Sequence, residues 1–149
     1  MNNRYEVYEK LLNMDGVPGH ERQIKKFVKE ELLKYTDTIL EDGMGGVFGV
    51  LEGDGPTIMI CGHMDEVGFM VSGITPQGMI KLLPVGGMNP EVYLSQNMHI
   101  VINKEKTIKG IIGAMPPHLT KGEKAPISMD QLLLDIGAEN KEHAISMGV

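Results

Sequence analysis

Residues 58–68 read Ile-Met-Ile-Cys-Gly-His-Met-Asp-Glu-Val-Gly, an uncharged apolar run that ends in a His-x-Asp triplet, a second carboxylate and a glycine. An apolar run bounded by turn signals predicts a buried strand, here residues 57–62, and α/β enzymes gather their ligands outside the carboxyl ends of such strands. His63 and Asp65 stand at that end, two residues apart. On a strand they face the same side, where the carboxylate can bond one ring nitrogen, set the tautomer and leave the other nitrogen as a metal ligand. Glu66 points away and reads as structural. A catalytic metal takes about three protein ligands plus water, and nothing after His63 supplies an obvious remainder. The chain therefore reads as one part of a metalloenzyme.

The flanking sequence predicts an α/β arrangement. Residues 5–14 carry apolar positions at helical spacing and are closed by Asp15-Gly16. A Val17-Pro18-Gly19-His20 turn opens a second helix over about 21–35, with Ile24, Phe27, Val28 and Leu32 on one side. Lys25, Lys26 and Lys29 form the other, read most simply as a solvated face. Residues 38–42 and 47–51 predict a hairpin around a glycine-rich turn. Helices followed by strands of this kind imply a layer with at least one buried parallel strand.

After Gly68 the texture changes to short β-like pieces at 69–74, 79–83, 98–103 and 107–112, separated by turns rich in glycine and proline. This spacing predicts a small antiparallel barrel or sandwich. Residues 114–119 and 121–124 read as a long irregular connection, 131–137 as strand-like, and 140–148 as a helix with glycine at its end.

Composition narrows the function classes. The 149 residues are 42% hydrophobic and 23% charged, the balance of a globular protein, and the net charge of −6 argues against nucleic acid or an anionic membrane as the main partner. No apolar run reaches membrane-spanning length. The polar N-terminus lacks a signal peptide's apolar centre, and Cys61, the single cysteine, has no partner for an intrachain disulfide, so a cytoplasmic location is expected. Twelve methionines accompany seven aromatics. Those at 44, 59, 64, 70, 79, 88 and 98 read as core filling.

The residues also resemble a known family. The matching positions are Pro18-Gly19 with Glu21, Asp42 with Gly45, the 61–68 segment, Gly110 through Pro116-Pro117-His118, and Asp135-Ile136-Gly137-Ala138. In this order they are similar to the dinuclear metal aminopeptidases that include glutamyl aminopeptidase and the tetrahedral aminopeptidases, some of whose members bear an endoglucanase label. The resemblance implies that residues 1–68 are the first part of a zinc-peptidase-like α/β catalytic domain. Residues 69–149 would then be a β-barrel-like insertion that mediates dimer contacts.

It further implies that His63 ligates one of two divalent metal ions, zinc or cobalt, and that Asp65 is the catalytic-site aspartate that orients it. The family's bridging aspartate, its Glu-Glu pair and its other ligands belong to a portion not in this sequence. Peptides are the implied substrates, cleaved at the N-terminus by a hydroxide bridging the two metals, and self-association from dimer to dodecamer is implied through the insertion. The 149-residue chain alone is expected to be inactive.

Plainer readings stand beside these. A histidine at a strand end is often only a hydrogen-bonded structural residue, and a lone cysteine such as Cys61 is often a small buried hydrophobe. His20, His99, His118 and His143 carry no ligand pattern. A non-catalytic oligomerisation module and a related metal-dependent deacylase remain alternatives. A carbohydrate hydrolase has little support, because it needs two carboxyl groups about 5–9.5 Å apart across a sugar, and adjacent Asp65 and Glu66 face opposite sides of a strand.

Overall fold

The computed structural model describes residues 4–113 and 126–149, which form a mixed α/β fold in two compact units, Met1–Glu66 and Val67–Val149. The predicted connection over 114–124, with His118, lies outside the described residues.

In the first unit, α1 (Arg4–Leu12) and α2 (Arg22–Leu32) precede a hairpin of β1 (Thr38–Glu41) and β2 (Val47–Val50). The α2 stripe forms as its spacing requires, since Ile24 and Phe27 fall three residues apart and are both buried. The hairpin register pairs Thr38 with Val50 and Glu41 with Val47. Its turn is closed by Asp42, whose Oδ1 accepts the Met44 and Gly46 amides at 2.9 and 2.7 Å, an Asx-type turn. The lysine face is not simply solvated. Lys25 and Lys29 reach across to β1 and hold the two oxygens of Glu41 at 2.8 and 2.7 Å.

Two expectations fail here. Residues 51–67 contain no regular strand, and Ile58, Met59 and Ile60 are 81%, 71% and 94% exposed. Strand propensity measures fit to a pleated, half-covered surface, and among the described residues this run has no neighbouring strand to supply that surface. The buried parallel strand is likewise not found. Every strand pair among the described residues is antiparallel.

The second unit is a five-stranded sheet in the order β3-β4-β7-β6-β5, comprising β3 (Gly68–Ile74), β4 (Ile80–Val85), β5 (Asn97–Val101), β6 (Thr107–Ile112) and β7 (Leu133–Asp135). Tight turns make two hairpins. Gly78, at φ +85°, closes the first, and Asn103 caps the second by accepting the Glu105 and Lys106 amides at 2.9 and 3.0 Å. β7 inserts between them, pairing Leu134 with both Ile80 and Ile112. The sheet is thus open, with β3 and β5 at its edges. No β3–β5 pairing closes the expected barrel among the described residues.

Helix α3 (Lys141–Met147) begins at Asn140, whose Oδ1 accepts the His143 amide at 2.8 Å, and ends at Gly148 with φ +109°. Its Ala144 joins Ile80, Ile108, Ile112, Leu132, Leu134 and Ile136 in the core. The methionines do not all fill cores: Met44, Met59 and Met70 are exposed. Cys61 is exposed rather than buried.

Candidate metal centre

His63 and Asp65 do meet, although no strand aligns them. His63 Nδ1 lies 2.8 Å from the Asp65 carbonyl oxygen and 3.3 Å from Asp65 Oδ1. Both contacts use the same ring nitrogen. An Nδ1 proton donated to the Asp65 backbone carbonyl, with the carboxylate close by, leaves the Nε2 lone pair for a metal, the usual division of labour in an imidazole ligand held by a carbonyl or carboxylate. The His63 side chain is 84% exposed, so water or a metal ion can reach it.

The surroundings are built by three short segments of the first unit. Glu21, Arg22 and Lys25 come from the start of α2, Met44, Gly45 and Gly46 from the hairpin turn, and Gly62 to Asp65 from the segment carrying the imidazole. Together they line a cleft of about 370 Å³. The segment is anchored where the Glu66 amide donates to the Gly16 carbonyl at 2.8 Å. Glu21 is used locally, its Oε1 accepting the Gly19 amide at 2.7 Å. Of the two cations in this wall, sequence does not single out Arg22 and reads Lys25 only as part of a solvated face. The signal for Lys25 was Glu41, an acidic residue at the far end of β1 that an antiparallel hairpin can bring to the helix.

The remaining candidates have local roles. Asp42 closes its turn, and Asp135 Oδ1 accepts the Gly137 amide at 2.8 Å, ending β7. His143 belongs to the start of α3, where its Nδ1 accepts the Glu139 amide at 3.3 Å. His99 is an exposed residue of β5. Among the described residues no three of the His, Cys, Asp and Glu side chains are grouped to hold a metal ion. His63 and Asp65 thus fit one ligand with its orienting carboxylate, and they fall short of a complete donor set.

Comparison with known proteins supplies the frame for this partial site. The model of the M42 glutamyl aminopeptidase family matches residues 45–149. The chain belongs to that family. Among curated relatives, the lysyl aminopeptidase of Pyrococcus furiosus is 32% identical over 97% of this chain and 42% of its own length.

Among solved structures, the TET aminopeptidase of a marine sediment archaeon of the Thaumarchaeota superposes with a TM-score of 0.86. It shows 32% identity over 97% of this chain and 41% of its own. The TET1 peptidase of Pyrococcus horikoshii, described as able to assemble into a tetrahedron or a large octahedral shell, gives a TM-score of 0.79. Its identity is 31% over 95% of this chain and 43% of its own. The M42 chain described here thus spans about two-fifths of the length of these relatives and matches their N-terminal part.

Proposed function

We propose that the chain is the N-terminal portion of a metal-dependent aminopeptidase, in which His63 ligates one of two divalent ions, zinc or cobalt, and Asp65 positions the imidazole. The observation that carries this reading is the Nδ1-side grip of Asp65 on an exposed imidazole at the wall of a cleft. When bound, a divalent pair lowers the pKa of water and polarises a carbonyl. The chain's own contribution is to hold His63 in one tautomer and to form one wall with Arg22, Lys25 and Gly45-Gly46. Peptides entering by their N-terminus are the substrates this reading assigns, in line with the aminopeptidase names of the relatives.

The same proposal gives residues 69–149 the role of a dimerisation module and extends self-association toward larger shells. Support comes from the open antiparallel sheet with its own core and from the shell-forming relative. It takes the protein to be cytoplasmic, since the single cysteine, Cys61, suits a reducing compartment. Among the described residues no helix is long and apolar enough to cross a membrane.

Metal analysis after dialysis, paired with release of p-nitroaniline from aminoacyl substrates, tests the reading. The 149-residue chain should retain less than two equivalents of zinc or cobalt and show no turnover, whereas a full-length version should retain two and cleave. Turnover by the pure 149-residue chain, or full metal occupancy in a His63→Ala full-length variant, overturns it.

A further inference from the structure

The α2 wall of the cleft beside His63 carries more positive charge than the fold uses. Among the described residues Arg22 makes no ion pair, although it lines the cleft. Lys25, one turn on, shares the single carboxylate of Glu41 with Lys29, so two ammonium groups meet one negative charge and one positive charge is left over. An ammonium has three donors, and Lys25 gives one of them to Glu41. The acids that share the cleft are committed elsewhere: Glu21 Oε1 accepts the Gly19 amide and Asp65 holds His63. Arg22 does not serve the helix either. The first turn of a helix favours acids, and α2 has none there.

We infer that Arg22 and Lys25 form a carboxylate subsite that takes the C-terminal end of a short peptide. Residues three apart on a helix are surface neighbours, with Cβ atoms about 5–6 Å apart, so one carboxylate can be reached by both side chains. The forked guanidinium matches its two oxygens, and Lys25 adds a compact charge whose place is fixed by Glu41. The direction of the peptide follows from its own charges. Its terminal ammonium is repelled by the α2 wall and its terminal carboxylate is drawn to it, which turns the amino end toward His63 on the opposite wall. That last step rests on the proposed metal at His63, whereas the carboxylate contact does not. A cleft of about 370 Å³ lies near the small end of ligand sites, which suits a di- or tripeptide better than a long chain.

The test titrates the metal-free 149-residue chain with alanyl-alanine, N-acetyl-alanyl-alanine, alanyl-alanine amide and glutamyl-alanine amide, and follows its amide resonances by nitrogen-15 NMR. The two peptides with a free C-terminus should shift Arg22, Lys25, Gly45 and Gly46, and the two amides should not. Arg22→Gln should weaken this binding at least about threefold. Lys26→Gln, which alters an exposed lysine of α2 outside the cleft, should leave it unchanged. Absent shifts overturn the inference, as do equal shifts from alanyl-alanine amide or equal losses in the two variants. Binding of glutamyl-alanine amide as strong as that of alanyl-alanine overturns the C-terminal assignment in favour of an acidic side chain, and inorganic phosphate that displaces the peptide at lower concentration overturns the peptide itself. Because the readout needs neither metal nor turnover, carboxylate binding stands if the metal reading fails, and its failure leaves that reading untouched.

Discussion

His63 and Asp65 need only three residues of chain to meet, and that short reach explains why their contact forms without the strand expected to align them. Removing the carboxylate's charge, while keeping its shape and the backbone carbonyl that makes the shorter contact, isolates the role of the acid. In a full-length protein, Asp65→Asn should weaken zinc affinity about 10–100-fold, the usual cost of losing an imidazole's orienting carboxylate. A competitive chelator titration reads it, and unchanged far-ultraviolet circular dichroism shows that the fold is kept. At the same scale, Gly110 is needed for close approach rather than for backbone freedom. A Cβ there would lie 2.6 Å from the Asp135 carbonyl oxygen and 3.0 Å from Ile136 Cγ2. Gly110→Ala should therefore cost about 1–3 kcal/mol through overpacking, measured by urea unfolding.

The clasp between α2 and β1 belongs to the scale of elements. Lys25 and Lys29 hydrogen-bond the Glu41 carboxylate and hold its pKa down from 4.5 to about 2. A group whose folded pKa is depressed binds its proton more readily when unfolded, so its stabilisation is complete above about 4.5 and fades as pH falls toward 2. Glu41→Gln should flatten the fall of thermal stability across that window. The difference should shrink at higher salt, because the clasp is solvent-exposed. A variant that tracks the parent through the window and in added salt shows that the clasp does not bear on stability.

Over the whole molecule the apolar core is unevenly distributed. Leu134 is 1% exposed and sits on β7 between β4 and β6, so Leu134→Ala should cost about 2–5 kcal/mol through the cavity it leaves. The loss should appear as faster amide exchange throughout Val67–Val149. Ile58→Ser, at an 81% exposed position, should change the stability of the isolated chain by no more than about 0.5 kcal/mol. Equal effects of the two substitutions would mean that the first unit buries more than its exposure indicates.

What was legible in the residues is what local chemistry decides. Asn140 and Gly148 bracket α3 because a capping amide acceptor and a left-handed glycine act within one turn. The 38–50 and 69–83 hairpins follow from turn residues between apolar runs, and Asp65 finds His63 at short range. Tertiary structure decided the rest. The place of β7 between β4 and β6 depends on partners up to about fifty residues away, which no local pattern encodes. Residues 57–62 show the converse: their side chains favour a strand, yet a strand is completed by its neighbours, and none of the described strands pairs with it.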